Sequence, residues 1–136
     1  MKALPNWAHK GPIIALMGGS DEVRQQIEKL DSADVPYTSL WIQDWPGIRK
    51  TPTGDRVWWN WEVDRNHYPD WEDIIASQAE RDVTVMSYIN PFLVEIESSS
   101  NFEKSYFDEA KKRNLLLRDS EGSIVFVGQV GFRALF

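Results

Sequence analysis

The sequence predicts an α/β fold built on a parallel sheet. Three observations carry the prediction. Short apolar runs alternate with stretches whose apolar residues recur at helical spacing. The first run is apolar on both faces, as a strand covered by helices on two sides is. A long stretch rich in Trp, Gly and Pro breaks the alternation once, directly after the second run, where α/β proteins place their ligands.

Gly11 to Met17 is the first strand, closed by Gly18-Gly19. Ser20 is the expected cap of the helix that follows. Asp21 and Glu22 sit in its first turn, where the helix dipole favours carboxylates. Val23, Ile27 and Leu30 form one stripe, and Pro36 ends it. Thr38 to Ile42 is the second strand. Residues 43–68 show no period and hold Pro46, Gly47, Pro52 and Gly54, so they read as loop with a hairpin around Thr53-Gly54. A loop of that length inside a domain is usually functional.

Asp70 is the expected cap of a second helix, with Glu72 and Asp73 in its first turn and Trp71, Ile74, Ile75 and Ala79 on one face. Val83 to Ile89 is the third strand, closed by Asn90-Pro91. Asn101 is the expected cap of a third helix whose aromatic face, with Phe102, Tyr106 and Phe107, reads as core. Leu115 to Leu117 and Ser123 to Val127 read as a hairpin around Glu121-Gly122. The chain is then either a small α/β domain or the first part of a (β/α)8 barrel, which takes about 250 residues. The apolar ending Val130 to Phe136 reads as an interruption. An open sheet edge there would make the isolated chain poorly soluble or molten.

Composition narrows the function. The net charge of −6 argues against a general nucleic-acid binder. No apolar run is long enough for a membrane span, and no signal peptide is visible, which leans towards the cytoplasm. Cysteine is absent, so thiolate chemistry and disulfides are excluded. His9 and His67 have no carboxylates at ligand spacing, so no metal is expected. Gly18-Gly19 before a helix is a possible anion cradle, but without a phosphate-loop pattern it reads as a tight turn.

Six of the seven tryptophans lie between Trp41 and Trp71. That window is either an aromatic loop packed on itself or the lining of a ligand site; sugar clefts use such rings. Polar groups interleave with the rings, beginning with Gln43 and Asp44 and continuing through Arg49, Arg56, Asn60, Glu62 and Asp64. Gln43 and Asp44 stand where the second strand ends, the ligand side of an α/β sheet.

The run Gln43-Asp-Trp-Pro-Gly-Ile-Arg-Lys-Thr51, then Gly54-Asp-Arg-Val-Trp-Trp-Asn-Trp61, then Tyr68-Pro69 and Met86-Ser-Tyr-Ile-Asn-Pro-Phe92 resembles family 31 glycoside hydrolases, more narrowly their sulfoquinovosidase branch. The resemblance runs from about Gly11 to Phe132. It implies a partial (β/α)8 TIM barrel over residues 1–136, holding its first three or so parallel strands. It also implies a retaining α-glycosidase without a cofactor. The sugar would be a glucose whose 6-hydroxyl is replaced by a sulfonate.

On that resemblance, Gln43, Arg56 and Trp59 bind the sulfonate and Asp44 lies where relatives bind sugar hydroxyls. The residue types suit the task. A sulfonate is always ionised, arginine presents a charged fork of donors, and the indole N–H only donates. The branch often has Gln where this chain has Met17, which leaves a neutral-sugar α-glucosidase as the alternative. The resemblance puts the nucleophile and the acid/base beyond Phe136, so no catalytic residue is expected within the chain. A truncated, non-catalytic sugar-binding module is the reading from a different class. The expected partner is a sugar, with no nucleic acid and no membrane.

Overall fold

The computed structural model describes residues 3–52, 54–96 and 101–126. The elements run α1 (Trp7–Lys10), β1 (Ile13–Leu16), α2 (Ser20–Ser32), β2 (Ser39–Ile42), β3 (Ile48–Thr51), β4 (Gly54–Val57), α3 (Trp71–Ala79), β5 (Thr84–Ser87) and α4 (Tyr106–Lys112). They fall into two units, Met1–Trp45 with Arg65–Tyr88 and Pro46–Asp64 with Ile89–Phe136.

The first unit is the predicted parallel sheet, in the order β1-β2-β5. Ile13 aligns with Ser39 and Leu16 with Ile42; Ser39 in turn aligns with Thr84 and Ile42 with Ser87. Each crossover passes through a helix, α2 between β1 and β2 and α3 before β5. The helices bury Val23 and Ile27 from α2, and Trp71 and Ile74 from α3. β2 lies between two strands and buries Leu40 and Ile42 completely. β1 departs from the expected burial on both faces: Ile13 is 48% exposed and only Leu16 is fully covered. It has a partner on one side only within this sheet.

Two helix starts differ from the sequence reading. Gly19, not Ser20, occupies the cap of α2, with φ +87°, a conformation that L side chains rarely adopt. Ser20 lies inside the helix and its hydroxyl donates to Asp70. Asp70 precedes α3 as expected, but its side chain makes no cap bond there. It accepts instead from Ser20 and from Arg24 Nε at 2.7 Å, tying the starts of α2 and α3 together.

In the second unit the stretch read as loop contains the expected hairpin. β3 and β4 pair antiparallel, with Ile48 opposite Val57 and Thr51 opposite Gly54; Thr53 lies outside the described residues. α4 starts later than expected. Ser105 caps it, its hydroxyl accepting the Asp108 N–H at 3.1 Å. Asn101 lies well before that cap position, and its amide donates to Asp64 at 3.1 Å. Phe107 and Ala110 of α4 pack with Leu93 and Leu116, and Trp61 and Ile124 close over them. Phe107 is core as read, whereas Tyr106 is exposed. The tail hairpin is present up to Phe126, through the antiparallel Arg118–Ile124 bridge and the Val125 N–H to Leu117 carbonyl bond. Val127 and the apolar ending from Val130 to Phe136 lie outside the described residues.

Gly47 gives a stability prediction. Its φ is +81°, and an added Cβ would stand 2.2 Å from Asp64 Oδ2. Asp64 is buried and bonded to Asn101, so it has little room to yield. Gly47→Ala therefore combines backbone strain with overpacking and should cost at least about 2 kcal/mol. Denaturant unfolding of the folded protein measures it.

Candidate active-site edge

Gln43 and Asp44 directly follow β2, at the carboxyl end of the central strand. Gln43 is half-buried. Asp44 is 0% exposed, and its carboxylate collects three donors. Gly18 N–H donates to Oδ2 at 2.8 Å, His67 Nε2 lies 2.7 Å from the same oxygen, and the Tyr68 hydroxyl donates to Oδ1. Burial by itself would raise the Asp44 pKa. The hydrogen bonds from His67, Tyr68 and Gly18 outweigh it and hold the carboxyl below its ordinary value. Burial and the neighbouring carboxylate push the Tyr68 phenol far up, so it stays a neutral donor.

The sign of the pH dependence follows. A depressed carboxyl pKa contributes stability that is present above the unfolded value, about 3.9, and is lost as pH falls through the folded value. The stability difference between the native protein and Asp44→Asn should therefore shrink on acidification below about pH 4. Denaturant unfolding at stepped pH checks this; a difference that grows on acidification would contradict it.

Two other expected residues lie in the second unit. Arg56 is exposed on β4, with Nη1 bonded to the Asp55 carbonyl at 2.9 Å. Trp59 is half-buried and stacks on Phe92, ring centres 5.2 Å apart. The Trp59 carbonyl accepts the Val94 N–H at 3.1 Å. The next residues hold this corner. Asn60 donates to the Lys104 carbonyl at 2.9 Å and accepts the Tyr106 N–H at 3.0 Å. Glu62 accepts the N–H groups of Glu103 and Lys104. Trp61 Nε1 donates to the Phe92 carbonyl at 2.8 Å.

The tryptophan window mostly packs. In the first unit Trp45 stacks on Trp71, Tyr68 stands edge-on to Trp71, and Trp45 Nε1 donates to the Tyr88 carbonyl at 2.7 Å. In the second, Trp58 meets Phe102 edge-on, and the Arg49 guanidinium lies 5.1 Å from its ring centre. Trp61 belongs to the core.

His67 and Tyr68 are the residues that sequence reasoning undervalued. Both reach Asp44 across more than twenty positions, and no periodic pattern carries that separation. The Gly18-Gly19 turn is tight, as read. Its two amides are taken by Asp44 and by the Tyr68 hydroxyl.

The description "Glycosyl hydrolases family 31 TIM-barrel domain" matches residues 3–135. The chain is 30% identical over 119 residues to the sulfoquinovosidase of Escherichia coli (strain K12), covering 88% of this chain and 16% of that protein. It is 34% identical over 90 residues to the sulfoquinovosidase of Agrobacterium fabrum (strain C58 / ATCC 33970), covering 66% and 13%. The chain thus spans less than a fifth of the length of these relatives. Among solved structures, a family 31 sulfoquinovosidase from E. rectale in complex with an aza-sugar inhibitor aligns at TM-score 0.83 and 26% identity, over 97% of this chain and 19% of that one. A family 31 α-xylosidase from a soil metagenome shares the fold at TM-score 0.69 and 18% identity, over 98% and 18%.

Proposed function

The chain belongs to glycosyl hydrolase family 31, as part of its (β/α)8 barrel domain, and from that membership we propose that the whole protein is a retaining α-glycosidase acting on α-sulfoquinovosides. In this reading residues 1–136 supply sugar recognition, and the nucleophile and acid/base are carried elsewhere in the protein. On the resemblance, Gln43, Arg56 and Trp59 are the residues that bind the sulfonate.

The resemblance assigns the sulfonate to Gln43, Arg56 and Trp59, and the chemistry of those residue types supports the substrate class. These three positions offer a neutral amide, a guanidinium and an indole N–H, with no carboxylate among them. Such a set favours an ionised group with three acceptor oxygens over a neutral hydroxymethyl. The two relatives named as sulfoquinovosidases support the same reading.

A neutral-sugar α-glucosidase is the second reading, and Met17 favours it. Met17 follows β1 directly and is 46% exposed, yet its thioether gives an anion no donor.

The test is to titrate the whole protein with sulfoquinovose and with glucose. Clear preference for the sulfonated sugar is expected. Equal affinity, or preference for glucose, would sink the sulfonate assignment. A finer prediction concerns Trp59→Phe, which keeps an aromatic ring beside Phe92 but removes the indole's second ring together with its N–H. It should cost about 1.5 kcal/mol in kcat/KM on an aryl α-sulfoquinovoside, the lower end of the range for one hydrogen bond to a charged group. Steady-state kinetics on that substrate measures it.

A further inference from the structure

The turn between β1 and α2 presents three consecutive amide groups, and three different groups cap them. Gly18 N–H goes to the Asp44 carboxylate at 2.8 Å, Gly19 N–H to the Tyr68 hydroxyl at 3.3 Å, and Ser20 N–H to the His67 carbonyl at 3.0 Å. The caps are linked to each other. Tyr68 donates to Asp44, and His67 Nε2 lies 2.7 Å from the oxygen that takes Gly18. The fit is close enough that a Cβ on Gly19 would stand 2.8 Å from the His67 carbonyl oxygen.

Asp44 is therefore a poor partner for a substrate. Its carboxylate is wholly buried and already takes three donors of its own chain. It stands one residue after Gln43, where the backbone leaves the central strand. We propose that Asp44 is a positioning residue that fixes Gln43 by tying the end of β2 to the Gly18-Gly19 turn and to His67-Tyr68, and that it does not itself touch the sugar. The role rests on the reading of Gln43 as a donor to the substrate.

The test is steady-state kinetics of the whole protein on an aryl α-sulfoquinovoside and an aryl α-glucoside, with Asp44→Asn, Gln43→Ala and the double variant. Asp44→Asn keeps the shape of the side chain and removes one acceptor. It should raise KM for the sulfonated substrate by about 10-fold or more while kcat changes less, as loss of placement does. In the Gln43→Ala background the same change should cost little, because the group it positions is already gone. General damage to the fold would instead multiply with Gln43→Ala in full, and that result would overturn the proposal. A series of monodeoxy substrates supplies the second arm. If Asp44 binds a hydroxyl, the Asp44→Asn loss will vanish on the one substrate lacking that hydroxyl, which would also overturn it. An equal loss across the series is expected.

Should Asp44→Asn fail to fold, Tyr68→Phe removes one arm of the tie and leaves the carboxylate in place. The same collapse in the Gln43→Ala background is expected, and full multiplication would count against the proposal. Failure of the substrate reading shows elsewhere, in an unmodified protein that prefers the glucoside. The coupling of Asp44 to Gln43 is then read on that glucoside.

Discussion

The 136-residue chain, separated from the rest of the protein, should leave an aryl α-sulfoquinovoside uncleaved. Retaining hydrolysis needs two carboxyl groups about 5–5.5 Å apart, one to attack or stabilise the sugar and one to protonate the leaving oxygen. Three of the carboxylates around the tryptophan window are committed to the fold. Asp44 is buried among Gly18, His67 and Tyr68, and Asp64 is buried and accepts from Asn101. Glu62 holds two backbone amides, whereas Asp55 is exposed beside Lys50. With the catalytic pair assigned outside these residues, nearly all of the rate enhancement goes, however well the sugar is held. Aglycone release at the buffer rate is the expected measurement. Turnover by the isolated chain above that rate would show that the pair lies here after all.

The second large effect is expected at Arg56. In the whole protein Arg56→Lys keeps the charge but loses the planar fork that meets two acceptor oxygens at once. If Arg56 holds the sulfonate, kcat/KM on the sulfonated glycoside should fall by about 1.5–3 kcal/mol, or about 10- to 150-fold. The neutral aryl α-glucoside is the control. Arg56 is exposed on β4, so the substitution leaves no buried group stranded, and hydrolysis of the neutral substrate should fall much less. An equal fall on both substrates would make Arg56 a structural residue of the hairpin, and the sulfonate assignment would go with it.

The strand and helix order was legible because each element depends on neighbours close in sequence. Apolar runs of strand length, a helical stripe at Val23 and Ile27, and the turn signal at Gly54 each act within about ten residues. The structure shows all three as the parallel strands β1, β2 and β5, the helix α2 and the β3-β4 hairpin. Helix starts were less legible, because several residues near each start can cap. Ser20 and Asp70 both look like caps in isolation, but they bond to each other, and neither side chain caps its own helix. Asn101 likewise is not the cap: the helix starts after Ser105, and the Asn101 amide goes to Asp64, thirty-seven positions earlier.

By itself the sequence determined the α/β alternation, the parallel sheet, the hairpin within the tryptophan window and, through its motifs, the family. Those are properties of local periodicity and of residue types in a rare order. Only the tertiary structure decided which side chains are spent on the fold. In the sequence Asp44 differs from Asp55 by its place at the end of a strand, and nothing there says which of the two is buried. Folding buries the first against three donors and leaves the second exposed beside Lys50. The reason is the cost of burying a charge: a carboxylate leaves water only where donors from distant parts of the chain converge on it. Local sequence carries no record of that convergence.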